Sequence, residues 1–567
     1  MKNIFKKLNV IILLTIGIII NGCETTSLTV QDSPNALNPS TADVDFFLNN
    51  IQQGLAAFIT GYEGSGFDGM SEFGMEATRM LAAINGNTYR SISDPGDFDE
   101  VWATAYSNVL EDIKAMNAVA LPAEQYTHVA IGEIVESYIM MTLVDFFGDV
   151  PYSEALQGNE GIFNPIVDSG ASIYEAADAL LVDAIENLNK TEIALPTTDL
   201  YYNGDESKWI KAANTMRLKL YLQTRLVNSS QSASVINSLV SGGNLIMNSA
   251  DDFQFQWSTN SSAPDSRHPY FDKNLDGQGP DSDFIMANFY MDLLANEYSE
   301  PDPRIRYYFY RQVGDFSGSN VVTNSCSTQN KPAWYGPDDN FCYVPDTNGL
   351  NGYWGWDHLR GDGIPPHQQF VTMFGVYPIG GPYDDDSFRN ISGSTAVSEG
   401  LMGAGITPIL LGSYTNFMLA EAALTLGTTG DARTYLEEGM RESINKVMLF
   451  GQTLATGPTV PTSTDIDDYV SDVLDIYDNG SDTDKLRVIV QQYFVALWGN
   501  GIEAYNTYRR TGQPDNLQPA ARVADPGTYV RSNWYPQTAT DSNSNLVQKA
   551  DVSTPVFWDT NPPGFVH

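Results

Sequence analysis

Near both ends of the chain, apolar residues recur at steps of three and four, the period of an amphipathic helix. Phe98, Val101, Trp102, Ala105, Tyr106, Val109, Leu110 and Ile113 mark one such face. A second stretch runs from about Ala123 through Ile134, Val135, Tyr138 and Met141 to Phe147. Gly148-Asp-Val-Pro151 ends it, because glycine and proline stop helices. Ile173, Ala177, Leu181, Ala184 and Leu188 predict a third helix, and Trp209, Ala213, Met216, Leu220 and Tyr221 a fourth. The period returns at residues 411–426, 431–450 and 482–508. Helices of this length joined by short turns predict tetratricopeptide-like hairpins packed side by side.

Between about residues 243 and 405 the pattern breaks. Gly, Pro, Asn, Asp and aromatic residues accumulate there, and one helix is expected near 283–296. A structureless loop of that length does not suit a compact domain. The fold class is therefore mainly α: a helical-repeat scaffold with an irregular, loop-rich subdomain containing short strands. Residues 23–242 and 406–567 form the helical parts, the latter ending in a coil tail, and 243–405 the insert, all in one intertwined unit.

Residues 1–22 have the form of an export signal. Lys2, Lys6 and Lys7 precede an apolar run of about 13 residues, shorter than the ~20 that span a bilayer. Ile-Asn-Gly-Cys23 then looks like a bacterial lipobox, which would leave Cys23 acylated and a soluble domain tethered to a membrane. With 70 acidic and 30 basic residues the formal charge is −40, or −43 without the three leader lysines. Such a field repels phosphate backbones, so nucleic acid is excluded as a partner. Cys326 and Cys342 predict a disulfide in an exported, loop-rich segment.

Further along, the chain resembles the SusD/RagB family of nutrient-binding outer-membrane lipoproteins of Bacteroidetes. The resemblance rests on Cys23, Asp145-Phe-Phe-Gly-Asp-Val-Pro-Tyr152 and Lys208-Trp209 with Asn214-Thr-Met-Arg-Leu218. Leu419-Ala-Glu-Ala-Ala423, Tyr493-Phe-Val-Ala-Leu-Trp498 and Arg509-Arg-Thr-Gly-Gln-Pro514 complete it. It implies a cell-surface, lipid-anchored protein that binds oligosaccharide or polysaccharide, or in some members peptide. It also implies a SusC-like TonB-dependent transporter as partner, and no catalysis. Low basic content favours a neutral glucan such as laminarin over uronates.

Sugars are held by flat aromatic faces and read by polar side chains. Trp334, Tyr335, Tyr353, Trp354 and Trp356 crowd the insert in glycine-rich sequence, which predicts display of some rings. Tyr89 and Arg90, in a turn between N-terminal helices, offer a stacking face and a donor fork. Asp272, Asn274, Asp276, Gln278 and Asp283 have the spacing of an EF-hand-type loop and predict a structural Ca²⁺, with no cofactor required for function. An Asx-rich turn without metal is the competing reading. Gly64-Ser-Gly66-Phe-Asp-Gly69 follows a helical segment where a dinucleotide site needs a strand. No HExxH, GxSxG, CxxC or P-loop pattern occurs. A secreted glycoside hydrolase is the rival class, since a carboxylate pair in a cleft is all it requires.

Overall fold

Several helices begin where the apolar period meets a capping side chain. The computed structural model describes residues 43–61, 69–84, 86–191, 194–275, 284–314, 329–360, 371–389, 391 and 398–567. The leader, Cys23 and the 64–69 glycine motif up to Gly69 lie outside these residues. First come α1 (Val44–Thr60), α2 (Met70–Ala77) and α3. Helix α3 is continuous from α turns Asp99–Ala103 through a π-helical stretch, Thr104–Leu110, into Glu111–Ala120. Next, α4 (Tyr126–Phe147) is apolar and buried around nearly its whole circumference, and Gly148 ends it with φ 81°. The side chains of Ser169, Asp205 and Asn228 cap α5 (Gly170–Leu188), α6 (Glu206–Gln223) and α7 (Ser229–Gly242).

The middle of the chain holds β1 (Phe253–Gln256), α8 (Pro269–Asn274), α9 (Asn288–Asn296), β2 (Phe309–Tyr310), β3 (Met373–Phe374) and β4 (Ile406–Leu410). The scaffold then resumes with α10 (Gly412–Leu426), α11 (Ala432–Gly451), α12 (Ser463–Asn479), α13 (Asp482–Ala496) and α14 (Gly501–Thr511). Two boundaries differ from the sequence expectation, and one helix was not expected. Helix α9 starts later, because Met286 and Ala287 bridge Leu81 and Trp356 as extended chain. The 482–508 stretch is two helices, broken where Gly499 takes φ 91° and Asn500 caps α14. Helix α12 was hidden in a polar segment, yet Ile466, Tyr469, Val470, Val473 and Tyr477 carry its period and Thr462 with Asp465 forms a capping box.

Consecutive helices pack in pairs: α4 with α5, α6 with α7, α10 with α11, and α12 with α13. Val44–His567 is one compact unit. The two helical parts interlock where α2 crosses α14, and the crossing needs glycine on both sides. A Cβ on Gly74 would overlap the carbonyl of Gly501, and one on Gly501 that of Ser71. The Ser71 hydroxyl donates to Gly499 O (2.9 Å) and accepts from Gly501 N (2.9 Å).

Buried charges tie the family-like motifs together. Asp145 accepts from Asn506 (2.7 Å) and the Trp558 indole (2.8 Å), and also from the Tyr174 hydroxyl. Glu421 is clamped by Arg510 (2.8 Å) and Arg225 (3.0 Å). Burial alone would raise the Glu421 pKa; the two guanidiniums overcome it and hold the group down at about 2. Strands β1 and β4 pair antiparallel, Gln256 opposite Ile406, and so clasp the two ends of the insert. Strands β2 and β3 form a second short ladder inside it.

Candidate ligand-binding site

The insert builds a groove of about 820 Å³ against α9 and the coil after α14. Residues 336–348 form one wall, Phe289, Asp292 and Asn296 of α9 the other, and Asn516 with Gln518 the floor. Helix α9 sends Tyr290, Leu293 and Leu294 into the core, which turns Asp292 and Asn296, four apart, outward. Its root is firm: the Tyr290 hydroxyl donates to Val495 O (2.9 Å) and the ring stacks on Trp498.

Amides and carboxylates organise the wall. Asn296 donates to Asp292 (2.6 Å) and to Pro345 O (3.0 Å), and accepts from the Thr347 hydroxyl. Asn348 donates to Ala295 O (2.8 Å), and Asp339 accepts from Gly336 N (2.6 Å). Burial pushes the Asp292 carboxyl pKa up, opposed by hydrogen bonds from Asn296 and Asn340. Glu297 is likewise raised by burial.

Below the groove lies Asp357, fully buried, which accepts from Asn288 at the start of α9 (2.8 Å), from Gln518 (2.9 Å) and from Cys342 N (2.9 Å). One carboxylate thus fixes helix, floor and wall together. Its pKa is raised by burial despite these donors. Cys342 is disulfide-bonded; Cys326 lies outside the described residues.

Only some of the expected contact residues can meet a ligand. Trp334, two residues before the groove wall, is 41% exposed, its indole N–H held by Ala520 O (2.9 Å). Tyr335 is buried, its hydroxyl donating to Pro519 O (2.9 Å). The expectation of displayed rings fails for Tyr353, Trp354 and Trp356, which are 0, 3 and 2% exposed. Segment 353–357 is threaded as extended chain between two others. Trp356 N donates to Met286 O (2.9 Å), and Thr372 N donates to Trp354 O (2.7 Å). Both indoles pack on Ala82, Ile285, Ala287 and Val371, and Arg311 covers the Tyr353 ring.

Tyr89 is corrected too: it is buried, and Arg79 donates to its hydroxyl (2.5 Å). Arg90 is exposed, but it reaches the C-terminal tail, donating to Ala550 O (3.1 Å) and lying over Trp534. Asn274 cannot serve the expected calcium loop. It is fully buried, donating to Phe284 O (3.1 Å) and accepting from Phe374 N (2.7 Å). Asp272 sits on α8, 3.9 Å from Arg267, whereas the loop requires turn geometry; Asp276, Gln278 and Asp283 lie outside the described residues. Among the described residues no three carboxylate, histidine or cysteine groups gather as a metal site.

The groove residues Asp292, Asn296, Asn340, Asn348, Asn516 and Gln518 were missed by counting aromatic rings. Their signal was the run of Asn and Asp in 336–348 and the polar pair on α9. A second cavity, of about 500 Å³, lies between α3, α4 and residues 152–160. Along it Tyr152 donates to Glu136 (3.0 Å) and Tyr106 to Pro151 O (2.6 Å). Among the described residues no helix is long and apolar enough to cross a membrane.

The family model described as "Starch-binding associating with outer membrane" matches residues 34–339. A second, described as "Susd and RagB outer membrane lipoprotein", matches residues 394–556. A solved SusD homologue from Bacteroides fragilis is similar at 18% identity and a TM-score of 0.63, over 92% of this chain and 100% of that one. A SusD/RagB family protein from Bacteroides thetaiotaomicron gives 18% and 0.64, over 92% and 100%. A chitin-binding SusD homologue from Flavobacterium johnsoniae gives 19% and 0.56, over 92% and 99%. At these identities the likeness is one of fold. No curated relative matches the chain.

Proposed function

Because the chain belongs to the SusD-like family of outer-membrane proteins, we propose that it captures oligosaccharide at the cell surface and delivers it to a SusC-like TonB-dependent transporter. One observation carries this reading: a groove of about 820 Å³, walled by amides and carboxylates, whose wall follows a partly exposed tryptophan, Trp334, two residues earlier in the chain. Planar polar side chains with paired donors and acceptors suit vicinal hydroxyls, and an indole face suits a pyranose ring. Among the described residues no lysine or arginine lines the groove, which disfavours uronate and sulfated chains. Chitin-type oligosaccharides lead the ligand list, since one of the similar structures is described as chitin-binding. Laminarin follows as the neutral glucan expected from composition.

The protein acts by binding alone. Asp292 is engaged by the amides of Asn296 and Asn340 in the wall, an arrangement that suits recognition of sugar hydroxyls. Tethering through Cys23 would hold the domain at the membrane while the groove stays free. Affinity electrophoresis and calorimetry with chito-oligosaccharides, laminarin, alginate and peptides test the proposal. Retention by at least one uncharged glycan, none by alginate and no release of reducing sugar is the expected pattern. Binding of peptides alone would overturn it in favour of peptide import.

A further inference from the structure

The cavity of about 500 Å³ between α3, α4 and residues 152–160 shares no lining residue with the groove beside α9. One wall is the π-helical stretch of α3, which brings Tyr106 and Leu110 into the lining. Such stretches within α-helices recur at functional sites. Tyr152 faces the cavity from the loop. Both tyrosine rings are half-buried, and their hydroxyls are tied down by Pro151 O and Glu136, so the rings are fixed in place. The loop is preformed too. Asp168 accepts from Tyr152 N and Ser153 N (both 2.9 Å), and Lys114 of α3 donates to Leu156 O.

Two acceptors in this lining are short of donors. The half-buried Glu136 carboxylate on α4 takes one hydrogen bond, from Tyr152, and no ion pair among the described residues. The Asn117 carboxamide oxygen on α3 is shut off from solvent beside Gly132 of α4, and it accepts no hydrogen bond among the described residues. A buried acceptor without a donor costs stability, which a donor brought by a ligand returns. Around these groups stand Leu110, Ile113 and Leu156 with the two rings. Acceptors set among apolar surfaces match a sugar, which has C–H faces and hydroxyl donors along its edge. Charges of both signs line the cavity, Glu136 and Glu160 with Lys114, so it has no one-signed field to draw an ionic ligand.

We propose that this cavity is a second carbohydrate site, taking about one or two uncharged sugar units. Sugar hydroxyls donate to Glu136 and Asn117 while the apolar face of a ring lies on Tyr106 and Tyr152. The site is independent of the groove beside α9, and either can hold sugar without the other.

Calorimetry and saturation-transfer NMR on the full chain use N,N′-diacetylchitobiose and laminaribiose, both short enough for the cavity. At least one binds, and Glu136→Leu and Asn117→Leu, made separately, each weaken it about tenfold or more. A co-crystal of the wild-type chain with that disaccharide reports the site even where a variant misfolds: sugar in the cavity is expected, and sugar in the groove alone overturns the proposal. Binding that falls with Trp334→Ala and is unmoved by both cavity variants also overturns it and leaves the groove standing. Binding of neither disaccharide overturns it as well, while hexasaccharides still test the groove. Binding of the de-acetylated, cationic disaccharide alone overturns the uncharged class.

Discussion

Two tryptophans of the insert look alike in sequence and do different work. Trp334 keeps 41% of its surface in solvent, whereas Trp356 keeps 2%. Trp334→Ala should weaken glycan binding by about 1–3 kcal/mol in calorimetry, the range for lost ring stacking, with little change in thermal unfolding. Trp356→Ala should instead cost about 3–5 kcal/mol of stability, measured by denaturant unfolding, because it empties a packed site. Density of rings announced the region and not the faces. What decided burial was the pairing of residues 353–357 with 286–288 and 372, a long-range match that no local pattern reveals. Glu421 gives a second prediction at this scale. Its folded pKa, about 2, lies below the ordinary 4.5. The stabilisation is therefore complete above about pH 4.5 and is lost as pH falls towards 2. The stability gap between wild type and Glu421→Gln should narrow between about pH 5 and pH 3 in urea titrations. A gap that widened on acidification would contradict the clamp.

Elements were legible where the apolar periodicity was long. Helices α4, α5, α6, α10 and α11 fall within a few residues of their expected bounds. Two elements were missed or mis-set for different reasons: polar surface diluted the period in α12, and a single glycine with positive φ split α13 from α14. The α2–α14 crossing was invisible, since contact between Gly74 and Gly501 joins residues more than 400 apart. Gly501→Ala should lower stability by about 1–3 kcal/mol or more in denaturant unfolding, because backbone carbonyls cannot yield to a methyl. An unchanged midpoint would place slack where the helices appear locked.

At the scale of the whole molecule, the mainly helical class and the loop-rich centre were both readable from composition and period. The groove itself was not, because its parts come from α9, residues 336–348 and residues 516–518, brought together by Asp357 and by long-range amide contacts such as Asn296 with Pro345 O and Asn348 with Ala295 O. Val44–His567 forms one compact unit, with N- and C-terminal helices interlocked. Tryptophan fluorescence and far-ultraviolet circular dichroism should therefore report coincident unfolding transitions. Two separated transitions would mean that the insert melts by itself. The pairing of β1 with β4 has one more consequence. Everything that recognises a ligand from the middle of the chain departs and re-enters through that single gate. Lengthening a closed loop adds only about 0.6 kcal/mol per doubling. Descendants of such a chain are free to rewrite their diet between two fixed strands while the helices outside keep their places.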